Sequence, residues 1–292
     1  MSTSPLIQLS ADELATALGS VEPIDVVAQE LVTRATCDQP QPADQGVRLA
    51  RWRGRTAPSS VPGTEWVVLE DLRTGPLCVL PLAGLMASRA AALTGLAART
   101  LLGTGPVTVA VLGAAPAVRP QMVVTTHHLR GVGRIAVWPA RDGGASVVES
   151  SLLDEIDLAG IGFVVAAAVA DAVDAANLVV AVEPVPLAIG QLTKGAVVVN
   201  AAGRGWSAGL VGAVDQLYVD DATQADRDTR ALHGRPIDAD LGQLLAGRHP
   251  GRTDRDHIVL VELLGRDVLD VQLAASLHRV ALERALGTRL PG

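Results

Sequence analysis

Lysine is nearly missing from this sequence: Lys194 is the only one in 292 residues, and arginine carries the rest of the positive charge. A mechanism that needs an amine nucleophile therefore has one candidate. Aromatic residues are scarce at 2%, so Ala, Val, Leu and Gly must fill the interior. The two cysteines, Cys37 and Cys78, make neither a disulfide framework nor a zinc spacing. No apolar run approaches the roughly 18 to 20 residues of a membrane span. The stretch from Ile161 to Ala170 stops at Asp171. The opening Met-Ser-Thr-Ser-Pro has no basic region leading into an apolar one, so no secretory signal is expected. A positive surplus is absent too, and the net charge of −7 argues against a general nucleic-acid binder. The expectation is a soluble cytoplasmic protein with neither a membrane nor a nucleic acid as partner.

What the chain does have is core-forming material. Hydrophobic residues reach 49% against 19% charged, enough to bury a sizeable interior. The length suits one large domain or two modest ones. Ser10-Ala-Asp-Glu13 reads as a capping box at the start of a helix. A second helix is predicted from Pro23 to Arg34, and an alternating strand from Val47 to Trp52. Trp66 to Glu70, a turn at Asp71 to Gly75, and Leu77 to Leu82 form a predicted hairpin, followed by an Ala-rich helix from Leu85 to Leu102.

The middle of the chain changes character. Val107 to Leu112, Arg134 to Trp138, Ile161 to Ala168, Leu178 to Val182, Ala196 to Asn200 and Asp215 to Asp220 are short apolar strands. Such runs suit strands buried on both faces of a parallel sheet. Their spacing predicts βαβ units, hence an α/β fold with a doubly wound, Rossmann-like sheet. That domain, 103–224, is expected to be inserted into a discontinuous α+β domain built from 1–102 and 225–292. One more strand is read at His257 to Leu264 in the outer part.

Four segments carry a resemblance. They are Asp71-Leu-Arg-Thr-Gly75 with Leu82 to Arg89-Ala-Ala-Ala; Val111-Leu-Gly113 and its turn; Lys194-Gly-Ala-Val-Val-Val-Asn200; and Leu241 to Arg252 with Gly265-Arg-Asp-Val-Leu-Asp270. In this order they resemble the ornithine cyclodeaminase/μ-crystallin family along essentially the whole chain. The resemblance implies a Rossmann domain for NAD or NADP, a second domain that binds substrate and dimerises, and a homodimer. It also implies chemistry by hydride transfer at a carbon bearing nitrogen, on a small amino-acid-like substrate.

Individual residues qualify that picture. The dinucleotide turn reads Gly113-Ala-Ala115-Pro116-Ala117-Val118, so only the first fingerprint glycine is kept. Ala115 brings a methyl towards the pyrophosphate, Val118 is bulky for helix packing, and Pro116 removes one N–H donor. No acid ends the second strand, which runs Val137-Trp138-Pro139 to Arg141. Arg141 suits a 2′-phosphate and hence NADP; the alternative is that no adenosine ribose binds there. The resemblance places Asn200 and Asp270 as further cofactor contacts, with helix capping as the plain alternative for Asp270. It makes Arg89 the partner of a substrate carboxylate, through its planar fork of donors, against a structural ion pair. Arg48, chosen over Arg51 and Arg53, is the second carboxylate-binding candidate.

Two family residues have no counterpart. The substrate-contacting lysine is absent, and the catalytic aspartate is replaced by Gly203-Arg204-Gly205-Trp206. Neither Gly nor Arg is a base near neutral pH, which argues against ornithine cyclodeaminase activity itself. The histidines 127, 128, 233, 249, 257 and 278 have no partners at metal spacing, and Asp220-Asp221 reads as a helix N-cap. The leading reading is an NAD(P)-dependent oxidoreductase acting on an amino acid, imine or cyclic ketimine in specialised metabolism. The alternatives are a scaffold that has lost its chemistry and binds a ligand or partner, with Val118, Trp138 and Trp206 filling the crevice, or a non-redox enzyme on the same fold. Free strand edges on the hairpin from Trp66 to Leu82 predict a two-fold dimer built on that sheet.

Overall fold

The computed structural model describes residues 6–36, 46–52, 65–113, 115–139, 148–202, 206, 208–222, 232–265 and 267–290. The fold is α/β and contains two sheets. The outer region begins with β1 (Ile7–Gln8), α1 (Ala11–Leu18) and α2 (Pro23–Thr36). It continues through β2 (Val47–Arg51), β3 (Trp66–Asp71), β4 (Gly75–Pro81) and α3 (Leu82–Leu101). The capping box forms as its sequence requires. Ser10 Oγ accepts from Glu13 N at 3.2 Å, and Glu13 Oε2 accepts from Ser10 N at 2.8 Å. Glu13 Oε1 also accepts from Gly287 N at 3.0 Å, so the first helix is tied to the far end of the chain.

The central region runs β5 (Val107–Leu112), α4 (Ala115–His128), β6 (Val132–Trp138), α5 (Ser150–Leu158), β7 (Gly162–Val165) and α6 (Val169–Val173). It continues with β8 (Leu178–Ala181), β9 (Val197–Asn200), α7 (Ala208–Ala213) and β10 (Gln216–Val219). The chain ends through β11 (Ala239–Asp240), α8 (Leu241–Leu245), β12 (Val259–Glu262), α9 (Asp267–Glu283) and β13 (Thr288–Arg289).

The eight-stranded sheet has the order β11-β10-β12-β9-β8-β5-β6-β7. Its pairings are parallel, and its strands are almost wholly apolar because both faces are covered. The order reverses between β5 and β8, which makes that the switch point of the doubly wound sheet. One core packs α2, α3, α4 and α9 against one face, and a second packs α6 and α7 against the other.

Two expectations change. The strand read at His257 to Leu264 does not belong to the outer part: β12 adds between β9 and β10, so the central sheet draws on residues beyond 224. Its Val-Leu-Val run is buried on both faces, which only a central position provides. The β3–β4 hairpin has no free edge either. The outer sheet runs β13-β1-β4-β3-β2, so β1 and β2 flank the hairpin and the open edges are β13 and β2.

Among the described residues no helix is long and apolar enough to cross a membrane. The capping box gives a direct test of local stability. Ser10→Ala is expected to lower unfolding stability by about 1 kcal/mol in chemical denaturation, with Ser10→Asp largely neutral.

Candidate active site

Parallel register aligns the strand ends. Trp138, Leu112, Ala181, Asn200, Glu262 and Val219 stand opposite one another in one row across the sheet. This carboxyl edge is where ligands of open α/β sheets bind. The row is apolar except at Asn200 and Glu262. Just beyond it come Gly113, Glu183 and Asp220.

Alternation along the strands divides the polar groups between two faces. Asn200 and Glu262 follow the parity of Val198 and Leu260, which pack in the second core. Asn200 Nδ2 donates to Glu262 Oε2 at 2.7 Å, and Asn200 Oδ1 accepts from Ala202 N at 3.1 Å. Glu262 is 2% exposed, and its Oε1 has no hydrogen-bond partner among the described residues. Burial pushes its carboxyl up to about 8, against the lowering effect of the Asn200 bond and with the charge of Asp220 adding to the rise. Glu262 therefore holds a proton at neutral pH.

Asp220 follows the parity of Tyr218 and faces the other core. It accepts from Leu264 N at 2.8 Å and Gly265 N at 3.1 Å. Of the pair read as a helix N-cap, Asp220 fastens the exit of β12, while Asp221 directly precedes a helical residue at Ala222 and the segment 223–231 that it would cap lies outside the described residues. Burial raises its pKa, while the two N–H groups and the nearby Arg89 guanidinium oppose the rise. Asp221 reaches Arg34 at 3.9 Å.

Arg89 lies on the third turn of α3 and is 7% exposed. Its Nη1 donates to Asp270 Oδ2 at 2.7 Å, across 181 residues of sequence. Asp270 lies in the first turn of α9 and pairs with Arg89. Gly265 has φ +79°, and a Cβ there would stand 3.0 Å from Arg89 Nη2, so glycine is what lets the β12 exit close over the guanidinium.

The remaining candidates are spread more widely. Arg48 lies on the edge strand β2, its side chain 64% exposed and paired with Glu70 at 2.8 Å. Gly113 leaves β5 with φ +139°, and Ala115 opens α4. Ala117 is half-buried. Val118 is fully buried in the first core, so its bulk goes into packing the helix on the sheet. Arg141 lies outside the described residues. Trp206 is buried and Trp138 half-buried, both against the second core. His127 pairs with Glu155 at 2.8 Å on the surface, and His128 meets Leu18 O at 3.3 Å, away from the strand-end row. Among the described residues no group of three His, Cys, Asp or Glu side chains could hold a metal ion.

Sequence reasoning missed Glu262. The signal was an acid closing an apolar strand, Val259-Leu-Val-Glu262, but only the register shows that it stops beside Asn200. Sharing a buried edge between two carboxyls makes a cationic or proton-bearing partner favourable there, and Arg89 supplies one on the opposite face only.

Glu262 makes stability depend on pH. Its folded carboxyl keeps its proton up to about 8, whereas the unfolded one releases it near the ordinary 4.5. The unfolded state thus sheds its proton first, and the protein loses stability as pH rises between those values. Glu262→Gln removes this loss. Thermal unfolding of E262Q is expected to match the native protein near pH 4.5 and to exceed it increasingly up to about pH 8, by roughly 4 kcal/mol. A difference that stays constant with pH counts against a protonated Glu262.

Comparison with known proteins bears on this arrangement. The model of the ornithine cyclodeaminase/mu-crystallin family matches residues 48–285. A curated relative, N-((2S)-2-amino-2-carboxyethyl)-L-glutamate dehydrogenase of Staphylococcus aureus, is 31% identical over 85 residues. That match spans 26% of this chain and 25% of the relative. Among solved structures, CmnK superposes with a TM-score of 0.74 at 22% identity, covering 99% of this chain and 98% of that one. An archaeal alanine dehydrogenase dimer with bound NAD gives 0.67 at 16% identity, with 99% of each chain covered. The iminosuccinate reductase of Paracoccus denitrificans in complex with NAD+ gives 0.67 at 15%, again over 99% of each. At these identities the structural likeness is one of fold.

Proposed function

The chain belongs to the ornithine cyclodeaminase/mu-crystallin family, and from that premise we propose that it is an NAD(P)-dependent oxidoreductase acting on an amino acid, imine or cyclic ketimine. The observation that carries the reading is the buried polar group at the carboxyl edge of the sheet: Asn200 and Glu262 on one face, Asp220, Arg89 and Asp270 on the other. Two solved structures of the same fold, the archaeal alanine dehydrogenase and the iminosuccinate reductase, hold NAD.

The crevice suits a dinucleotide on two observations. Gly113 turns with a positive φ where α4 begins, so the helix N-terminus opens at the switch point. Val118 is absorbed by the core, so its bulk packs α4 on the sheet rather than projecting from the turn. When bound, a nicotinamide supplies or accepts the hydride. Asn200, with both ends of its amide engaged, holds Glu262 in place. Glu262 carries a proton at neutral pH and serves as the acid or base for the substrate nitrogen, the task left open where Gly203-Arg204-Gly205-Trp206 replaces an aspartate. Arg89 is held by Asp270 with Asp220 close by, so a substrate carboxylate would share the guanidinium with these two. The missing lysine and aspartate argue against ornithine cyclodeamination and favour a related amine or imine. The name of the curated relative, a dehydrogenase of an N-substituted glutamate, puts N-substituted amino acids first among substrates to screen.

Calorimetry with NAD+, NADH, NADP+ and NADPH tests the reading. At least one is expected to bind with micromolar affinity, and nicotinamide absorbance then reports turnover of N-substituted amino acids and imines. A folded protein that binds none of the four is a scaffold or a non-redox enzyme instead.

The same reading includes a homodimer, and the archaeal alanine dehydrogenase of the same fold is a dimer. The open edge β2, with half-buried Trp52 and Trp66 beside it, is the surface proposed to be covered. Light scattering at micromolar concentration is expected to give twice the 30.1 kDa chain mass; a monomer rejects this part.

A further inference from the structure

The acid that usually reads a ribose at the end of the second Rossmann strand is missing, since β6 ends at Trp138-Pro139. A different carboxylate stands closer to the switch point. Glu183 follows β8 directly, beside the turn that follows β5. A Cβ on Gly113 would lie 2.5 Å from Val182 Cγ2 and 2.9 Å from Glu183 Cγ, so the Glu183 side chain rests against the glycine turn itself. Glycine at 113 is required as much by this contact as by its φ of +139°. Glu183 Oε1 is buried from solvent and has no hydrogen-bond partner among the described residues.

A carboxylate oxygen buried without a donor is unfavourable, and such groups mark places where a ligand completes the bonding. An ionised carboxylate only accepts, so its complement must bring O–H or N–H groups. A pyrophosphate brings none and repels it. The neighbouring ribose brings a pair of hydroxyls whose spacing suits the two oxygens of one carboxylate. In a doubly wound sheet the two halves of a dinucleotide lie on either side of the reversal. Gly113 closes the first strand of the half formed by β5, β6 and β7, and Glu183 closes the first strand of the half formed by β8, β9 and β12.

We infer that Glu183 is a cofactor-positioning residue whose carboxylate accepts the hydroxyls of the nicotinamide-side ribose. The inference rests on the NAD(P) reading given above. It fixes the reactive ring on the β8 side of the reversal, next along the row from Asn200 and Glu262. It also accounts for a turn that keeps one fingerprint glycine, since part of the hold on the dinucleotide passes to a side chain.

Calorimetry with the full chain separates the possibilities. Glu183→Gln keeps the shape of the side chain and removes its charge. NAD+ is expected to bind E183Q about tenfold more weakly than the native protein, a loss typical of one charge-assisted hydrogen bond. ADP, which has no nicotinamide ribose, is expected to bind both proteins equally. Equal NAD+ affinity in the two proteins overturns the inference. So does tighter binding by E183Q, because Glu183 then repels the pyrophosphate, and so does a parallel loss for ADP, because the contact then lies on the adenosine side. If the native protein binds no dinucleotide, the oxidoreductase reading itself fails and takes this inference with it. Should E183Q melt below the native protein, Glu183→Asp, which withdraws the carboxylate by one methylene, is expected to show the same preferential loss of NAD+ over ADP.

Discussion

An arginine sealed inside a protein has to be met by carboxylates, and Arg89 draws them from opposite ends of the sequence. Asp270 on α9 takes one Nη at 2.7 Å, and Asp220 at the end of β10 feels the same charge. Removing either partner would leave a buried ion uncompensated, which is far more costly than losing a surface pair. The ion pair therefore fixes how α3 and α9 sit over the end of the central sheet. Gly265 completes the closure, because a side chain there would press on the guanidinium. The exit of β12 is in turn held by Asp220 through two backbone N–H groups. One charge thus organises two helices, two strand ends and a turn.

The other face of the same edge is governed by a deficit of charge compensation. Glu262 has an amide for a neighbour and, among the described residues, no paired cation, so burial keeps its proton on. Two carboxyls on adjacent strands consequently stand in different surroundings: Asp220 accepts two backbone N–H groups near an arginine, while Glu262 keeps its proton beside an amide. Different surroundings of this kind divide charge stabilisation from proton transfer between neighbouring groups. A site that handles a substrate bearing both a carboxylate and a nitrogen needs both capacities.

Departures from the fingerprint make sense in the same terms. Val118 is too large for a glycine's place only if the helix must approach the sheet closely; here its side chain is part of the core. Glu183 sets a carboxylate side chain against the turn that has lost a glycine. Arg48 shows the opposite outcome. Its pairing with Glu70 is exposed and mostly solvated, so it contributes little to stability.

Much of the architecture was written into local sequence. Apolar runs such as Val107–Leu112 can only be strands buried on both faces, and the Ser10–Glu13 box carries its own hydrogen-bond partners within four residues. Ordered motifs extending to Asp270 were enough to mark the family. Tertiary structure alone decided which of these pieces meet. Sequence cannot give the register that sets Glu262 beside Asn200, nor the insertion of β12 between β9 and β10, because both depend on pairings some 60 residues apart. It could name Arg89 and Asp270, but not that they hold one another, because only packing brings α3 and α9 together. Local propensities fix elements; long-range burial fixes which charges must find partners, and the site is made of those charges.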